Sequence, residues 1–370
     1  MKKKEVWIAT GGTGGHIFPA LAVAAELLRR GFPLRISSDG RGWKYVREFY
    51  ARIENRESRI EKRKTNRFSI FDSRFSYIWA SGVGAKNPIK QIWALFKIAV
   101  TTFLLIVRFA FKRPDKIVAF GGYASVPVLI AGRIYKIPTF LHEQNASIGR
   151  ANKFAMRFTG TLMTSFDIGV GIYTGLPVRK EVHSQRSTVH GTKEIRLLIT
   201  GGSLGAKVLD DVMPLAMNEV RKTINDKQKK QLFIIHQTRP ENVERLRKLY
   251  ASLGIKNNVT TFIRNMPEEL AAAALVISRA GASTVVEMQT IGVPAILVPL
   301  AINPDQQANA EQFIKNGGGV IIKQKDFTPQ AVSKVLKELL FNPKKLEQMA
   351  AAARVPNNAV NRIVDIVISD

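Results

Sequence analysis

The 370-residue sequence contains no cysteine and few acidic residues. Without cysteine the chain has no disulfide scaffold, no thiolate metal site and no cysteine nucleophile, which fits a reducing compartment. It carries 29 Asp and Glu against 56 Lys and Arg, a formal net charge of +27. A positive field of this size attracts nucleic acid, anionic lipid or acidic small molecules.

Several motifs with a defined chemistry are also missing from the sequence. It has no HExxH, no Walker loop and no D-x-D, so it offers no obvious ligand pair for a metal that would bridge a diphosphate. We therefore predict neither a metal nor a cofactor. It also lacks a paired Cys/His finger and an RNP aromatic signature, so we expect no nucleic-acid partner. A membrane surface or an anionic substrate is favoured, the alternative being a general basic bias with solvated side chains.

Long hydrophobic runs are absent as well. The apolar run Ile98–Val107 has ten residues, whereas a membrane-spanning helix needs about 20, so we predict that it does not cross a bilayer and is buried against a sheet. A preceding group of apolar residues recurs at helical spacing and could lie in a membrane interface: Ile89, Ile92, Trp93 and Phe96. After the basic start of the chain, Glu5 and a brief apolar run argue against a signal peptide and for a cytoplasmic amino terminus.

Glycine-rich loops recur along the chain, each between a predicted strand and a predicted helix or turn. The sequences are GGTGGH at 11–16, GGYAS at 121–125 and GGSLGA at 201–206. The strand–loop–helix plan restarts after a linker at 176–194, which predicts an α/β chain of two Rossmann-like domains with parallel sheets facing a central cleft. We place them at residues 1–178 and 179–343, with a C-terminal helix at 344–370 that crosses back to the first domain. Neither half opens with GxGxxG, so a dinucleotide oxidoreductase is not expected.

The stretch Ser278–Gln307 has the pattern of a nucleotide-sugar site. A short apolar strand ends in a small-residue turn, and a helix starts near Ser283 and Thr284. Free N–H groups and the helix dipole favour a phosphate there. Glu287 lies one turn further on the same face, where a carboxylate suits a sugar diol, and Gln306 and Gln307 suit hydroxyl recognition. An ordinary βαβ unit with solvated Glu and Gln remains the alternative.

Glycosyl transfer from a nucleoside diphosphate needs a base for the acceptor hydroxyl and a stabilised leaving group. Three residues beside the first glycine loop or after a predicted strand could be that base: His16, His142 and Glu143. Without a metal, the leaving diphosphate must be met by glycine-loop amides, helix ends and Arg179 or Lys side chains.

Six motifs occur in a fixed order: GGTGGHIFPALAVA, GGYAS, LHEQNA, GLPVR, TGGSLGA and SRAGASTVVEM with PDQQANA. Together, from about Val6 to Gly319, they closely resemble the MurG family of bacterial N-acetylglucosaminyltransferases. The resemblance implies a GT-B fold and metal-independent, inverting transfer of GlcNAc from UDP-GlcNAc to the C4 hydroxyl of MurNAc-pentapeptide on undecaprenyl pyrophosphate (lipid I). This would be peptidoglycan synthesis by a peripheral protein at the cytoplasmic face of the anionic inner membrane.

The resemblance also implies roles for individual residues. His16 would be the catalytic base, while Tyr123, His142 and Glu143 would act on the acceptor side. The segment 89–96 corresponds to a membrane patch. Ile263 would meet the uracil through backbone groups and Glu287 the ribose. The implied donor contacts are Thr13, Gly14, Gly15, Asn145, Arg179, Ser203, Ile263, Ala282, Ser283, Thr284, Val285, Val286, Glu287 and Gln306.

The sequence departs from the family pattern at a few positions. Leu176 stands where GNPVR has Asn, and Leu204 where GGSQGA has Gln. Residues 41–67 hold ten Lys or Arg and four Asp or Glu, and we interpret this excess as a pull toward anionic lipid. The alternatives are a lipid glycosyltransferase with another acceptor such as diacylglycerol, a nonhydrolysing sugar-nucleotide epimerase, and a non-enzymatic basic binding protein.

Overall fold

The computed structural model describes residues 4–60, 75–80, 87–187, 194–202 and 205–369. The chain divides into two compact units, one formed by Met1–Arg179 with Asn358–Asp370 and the other by Lys180–Asn357. Each unit contains one parallel sheet with helices between the strands. This is the Rossmann-like architecture that the repeated strand–loop–helix pattern predicts.

The sheet of the first unit has the strand order β3-β2-β1-β4-β5-β6-β7, and its neighbouring strands are parallel. The central strands are buried on both faces, as is usual where helices cover both sides of a parallel sheet. The strands are Val6–Thr10 (β1), Leu34–Ser38 (β2), Phe75–Tyr77 (β3), Lys116–Ala119 (β4), Thr139–Glu143 (β5), Thr161–Thr164 (β6) and Ile172–Tyr173 (β7).

The helices of this unit that precede residue 180 are Gly14–Arg29 (α1), Trp43–Ile60 (α2), Pro88–Phe111 (α3), Val126–Ile134 (α4) and Arg150–Ala155 (α5), with a 3-10 turn at Met156–Phe158. Helix α1 begins at Gly14, within the first glycine loop, and contains Pro19. His16 therefore lies in the first turn of a helix.

The second unit repeats this plan with the strand order β10-β9-β8-β11-β12-β13. Its strands are Ile195–Thr200 (β8), Leu232–Gln237 (β9), Lys256–Thr260 (β10), Leu275–Ser278 (β11), Ala295–Leu297 (β12) and Gly319–Ile321 (β13). Its helices are Lys180–His183 (α6), Lys207–Arg221 (α7), Asp226–Gln231 (α8), Val243–Ser252 (α9), Met266–Ala272 (α10), Ala282–Ile291 (α11), Pro304–Ile314 (α12), Pro329–Leu339 (α13) and Pro343–Ala353 (α14), with 3-10 turns at Pro240–Asn242 and Gln324–Asp326.

The C-terminal segment, expected as one helix from residue 344, forms two helices. The first, α14, belongs to the second unit, and Ala359–Ser369 (α15) belongs to the first. Pro356 lies between them, where proline disfavours a continuous helix. The buried amine of Lys116 donates to the carbonyl oxygen of Val367 over 2.6 Å, so α15 is fixed to the first sheet.

The structure corrects the expected burial of Ile98–Val107, because Phe103 and Leu104 are largely exposed. Helix α3 has 24 residues, and by length and composition alone it could cross a membrane. That it does not cross a bilayer stays a prediction. The helix is longer than the ten-residue apolar run because Lys97 interrupts the apolar sequence without ending the helix. Its buried residues pack in the first unit, and Thr101 donates to the carbonyl oxygen of Trp79, so the helix is part of that fold.

Candidate active site

Two glycine loops of the first unit meet around the ring of His16. The amide of Gly11 donates to the carbonyl oxygen of Gly121 over 3.1 Å. Gly121 and Gly122 both have left-handed φ angles, +75° and +78°, which other residues rarely adopt. A Cβ on Gly11 would come within 3.3 Å of Cδ2 of His16, and one on Gly122 within 3.3 Å of Cα of Gly11. Only glycine lets the two loops approach the imidazole this closely.

The half-buried imidazole of His16 is held by a side chain from the end of β5. Its Nδ1–H donates to Oε1 of Gln144 over 2.8 Å. Burial lowers the pKa of His16 below 6.5, although the bond to Gln144, the Glu143 charge and the Phe120 carbonyl oppose that shift; the Arg41 charge adds to it. The ring is therefore neutral at neutral pH and can accept a proton.

The other two residues predicted as bases, His142 and Glu143, are buried. Nε2–H of His142 donates to the carbonyl oxygen of Gly175 over 3.0 Å, and burial lowers the pKa of this histidine to about 4. Oε2 of Glu143 accepts from the Gly149 amide at 3.1 Å and from Asn152 at 2.8 Å, while Oε1 accepts from the backbone and side-chain nitrogens of Asn145. Both side chains therefore form hydrogen bonds with other residues of the first unit.

The remaining predicted residues of the first unit lie beside these loops or at its end. Thr13 is the exposed N-cap of α1, and Gly14 and Gly15 form its first turn. Tyr123 is half-buried directly after the second glycine pair, and Arg179 is the half-buried last residue of the unit's main segment. The structure thus brings most of these residues to the carboxyl ends of the strands, where open α/β sheets bind ligands.

In the second unit the predicted phosphate site is a strand–turn–helix arrangement. Helix α11 begins after Gly281, which is extended and supplies no side-chain cap to the first-turn N–H groups. Ser283, Thr284 and Glu287 are half-buried, as helical spacing predicts for residues on one face. The side chains of three other predicted contacts are instead buried, so only their backbone could reach a ligand: Ala282, Val285 and Val286.

The loop after β12 is fixed by polar side chains of α12. Oε1 of Gln306 accepts a hydrogen bond from the Leu300 amide over 2.9 Å. This bond helps to shape the loop, and it uses the side-chain oxygen of Gln306. Gln307 donates to Glu311 over 2.8 Å on the exposed side of the helix. The fully buried Asn309 donates to the carbonyl oxygen of Ala280 over 3.1 Å and so ties α12 to the turn before α11. Sequence reasoning missed Asn309, although it follows the Gln306-Gln307 pair at helical spacing.

A second polar connection joins the third glycine loop to the segment that contains Ile263. The hydroxyl of Thr200 accepts from the Gly202 amide over 3.1 Å and donates to Oε1 of Gln237 over 2.7 Å. Nε2 of Gln237 donates to the carbonyl oxygen of Thr261 at 3.4 Å. Ile263 itself is buried, which leaves backbone groups for any contact with a ligand. The predicted contact Ser203 lies outside the described residues.

Exposed apolar residues cluster on α3 and on the segment before it. Trp93 stacks on Phe96 with ring centroids 5.3 Å apart, and Trp79 meets Trp93 edge-on at 5.7 Å. Nζ of Lys97 lies 5.4 Å from the Trp79 ring centroid. We call the following residues the apolar face of α3: Trp79, Ile89, Ile92, Trp93, Phe96, Phe103, Leu104 and Phe111. The sequence indicated only part of this face, because Trp79 is distant in the chain.

Comparison with known proteins decides the family. Residues 6–164 match the N-terminal domain of glycosyltransferase family 28, and residues 196–366 match its C-terminal domain. A UDP-N-acetylglucosamine--N-acetylmuramyl-(pentapeptide) pyrophosphoryl-undecaprenol N-acetylglucosamine transferase of Mesorhizobium japonicum is 36% identical over 96% of this chain and 91% of its own length. The Rhodospirillum rubrum protein of the same name is 36% identical over 98% and 91%. The chain belongs to the MurG family.

The solved structures agree with this assignment. The crystal structure of Acinetobacter baumannii MurG has a TM-score of 0.74 and 30% identity, and the match covers 99% of this chain and 100% of that one. The chain therefore has the GT-B fold of the MurG family, as the ordered motifs predicted. Within the residues described here, no group of three or more His, Asp or Glu side chains could hold a metal ion.

Proposed function

We propose that this protein transfers GlcNAc from UDP-GlcNAc to the C4 hydroxyl of MurNAc-pentapeptide on undecaprenyl pyrophosphate, with inversion and without a metal. Family membership supports the reaction. The observation that carries the mechanism is the geometry of His16, whose Nδ1 is held by Gln144. That bond leaves Nε2 to receive a proton.

The reaction is a single displacement. Nε2 of His16 takes the proton of the acceptor hydroxyl while the oxygen attacks C1 of GlcNAc. The bond between C1 and the UDP oxygen breaks, and the electron pair leaves with the diphosphate. One attack from the face opposite the leaving group inverts the anomeric carbon. A neutral imidazole is required, and the lowered pKa of His16 supplies it at neutral pH.

The donor is assigned to the second unit. The first turn of α11 presents N–H groups and a positive dipole end to the diphosphate. Glu287 binds the ribose hydroxyls, backbone groups at Ile263 bind the uracil, and the amide nitrogen of Gln306 binds a sugar hydroxyl. Support for these roles comes from the half-exposed position of Glu287 one turn after Ser283, and from the polar connections that fix the neighbouring loops.

His142 and Glu143 are assigned to shaping the acceptor side rather than to proton transfer. A base must reach the acceptor hydroxyl, directly or through one water. Nε2 of His142 is bonded to Gly175, and both Glu143 oxygens accept internal hydrogen bonds. Glu143 thereby orders residues 145–152, which follow β5.

The test is turnover of radiolabelled UDP-GlcNAc with a short-chain lipid I analogue, with and without EDTA. We expect product in both cases and a loss of turnover in His16→Ala. Loss of activity with EDTA would refute metal independence. Product with diacylglycerol but not with the lipid I analogue would indicate a different acceptor, and conversion of UDP-GlcNAc alone would indicate an epimerase.

We also infer that the apolar face of α3 lies on the anionic inner surface of the cytoplasmic membrane. Aromatic rings beside cations suit the interface, where the rings enter the headgroup layer and the amines meet lipid phosphates. Lys90 is exposed and Lys97 is half-buried on this helix, whose buried side packs in the first unit. The helix therefore rests on the membrane without leaving the fold. Flotation with phosphatidylglycerol vesicles tests this, and failure to float would refute it.

A further inference from the structure

Gln144 lies at the centre of a hydrogen-bond network whose members fix one another's orientation. The residue is buried, and its amide nitrogen donates to the carbonyl oxygens of Phe120, at 3.0 Å, and His142, at 2.9 Å. Backbone carbonyls only accept, so the amide nitrogen must face them and Oε1 must face His16. The two carbonyl oxygens thereby fix the orientation of the Gln144 amide.

This orientation determines the proton position on His16. Oε1 of Gln144 can only accept, so Nδ1 of His16, 2.8 Å away, must carry the proton. In the neutral ring the other nitrogen, Nε2, is then unprotonated. We propose that Gln144 is a positioning residue that holds His16 in the tautomer required of a base. This inference rests on the proposed role of His16 in proton transfer.

His142 supports Gln144 from the other side. Its Nε2 donates to Gly175, so in the neutral ring Nδ1 carries a lone pair, and this atom lies 3.4 Å from the amide nitrogen of Gln144. Burial keeps His142 neutral above a pKa of about 4. Protonation of His142 would turn Nδ1 into a donor facing the Gln144 amide, which would break the arrangement. The network thus extends from Gly175 to His16.

The charged groups around His16 influence its pKa and therefore matter for a test of pH dependence. Glu143 raises its pKa, Arg41 lowers it, and His142 is uncharged near neutral pH. In Gln144→Glu, a carboxylate would replace the neutral oxygen at Nδ1 and stabilise the imidazolium. In Gln144→Leu, the Oε1 acceptor at Nδ1 would be lost, and only the Phe120 carbonyl oxygen would remain as an acceptor beside His16. The proton could then occupy either nitrogen.

The experiment combines imidazole 15N NMR with steady-state kinetics on the full chain. Wild type is expected to show Nδ1 of His16 protonated and Nε2 unprotonated at neutral pH, with the signal assigned by its loss in His16→Ala. Gln144→Leu is expected to mix the tautomers and to lower kcat about 10- to 100-fold, part of what a general base contributes. The KM for UDP-GlcNAc should not change. Gln144→Glu is expected to move the acid limb of kcat to higher pH.

The controls separate this inference from the proposed function. Gln348→Leu changes an exposed glutamine in the second unit and should leave the tautomer and kcat unchanged. A protonated Nε2 in wild-type protein would overturn the role of Gln144 whatever the activity of any variant. Wild-type kcat in His16→Ala would instead overturn the base assignment. If Gln144→Leu does not fold, the wild-type spectrum and the pH profile of Gln144→Glu decide the matter.

Discussion

Nε2 of His142 donates a hydrogen bond to the carbonyl oxygen of Gly175 over 3.0 Å, which joins the end of β5 to the segment that leads out of the first unit. The imidazole is buried, and its surroundings lower its pKa from 6.5 to about 4. Unfolding would release this group to its ordinary pKa. The unfolded state therefore binds the additional proton between those two values.

Stability should accordingly fall as the pH drops from about 6.5 to about 4. The contribution of His142 to this loss is about 3 kcal/mol at the lower limit. His142→Gln keeps a donor for Gly175 but cannot be protonated, so its free energy of unfolding should depend less on pH across this window. Denaturant titration at several pH values measures the effect. Equal pH dependence in both proteins would contradict it, and buried His236 should leave a residual dependence in the variant.

His16→Ala is expected to lower kcat by about 10²- to 10⁴-fold with little change in donor KM, because the base acts in the transition state. In the wild type the pKa of His16 lies below 6.5. As pH rises through that pKa, Nε2 loses its proton and activity appears. The acid limb of kcat should thus have its midpoint below 6.5, and a midpoint clearly above it would contradict the assignment.

The connection between Thr200 and Gln237 predicts an effect on donor binding. Thr200→Val keeps the side-chain shape but removes the hydroxyl that accepts from Gly202 and donates to Gln237. Leaving such partners unsatisfied costs about 1–3 kcal/mol each. We expect a higher KM for UDP-GlcNAc and a smaller effect on kcat. Isothermal titration with UDP measures the binding separately, and unchanged affinity would show that the glycine loop does not need this support.

Glu287→Ala should raise the donor KM about tenfold, which corresponds to about 1.4 kcal/mol of binding free energy, if the ribose contact is equal in ground and transition states. The matched control is Glu241→Ala, an exposed carboxylate of the same unit. UDP-GlcNAc titrations of initial rate distinguish the two variants. A loss in kcat alone would place Glu287 at the reacting centre instead of the ribose.

The sequence predicted the two Rossmann-like units because strands followed by glycine loops recur along the chain, and local pattern controls such elements. It did not predict which polar residues support His16. Gln144 and Gly175 are far from His16 in sequence, and only the pairing of β5 with its neighbours brings them to one sheet edge. The exposure of Phe103 and Leu104 in the later part of α3 was also missed, since composition cannot tell a buried apolar helix from one that faces a membrane.

The last prediction concerns that exposed helix. Replacing Trp93 and Phe96 with Ser removes two stacked rings from the apolar face of α3, while the buried Ala94 and Thr101 continue to anchor the helix. We expect weaker binding to phosphatidylglycerol vesicles with an unchanged melting temperature. Each buried CH₂ contributes about 0.8 kcal/mol to membrane partitioning, so loss of both rings should exceed tenfold in the partition coefficient.

Charge acts on the same binding event. Lys97→Gln should reduce vesicle binding at low salt and flatten its salt dependence, because a cation near an anionic surface contributes about 1 kcal/mol. Lys344→Gln, at an exposed site of α14, is the matched control. Flotation across a salt series on anionic and zwitterionic vesicles separates the apolar and electrostatic parts. Vesicle binding that is independent of both salt concentration and lipid charge would contradict the prediction that the excess of basic residues attracts anionic lipid.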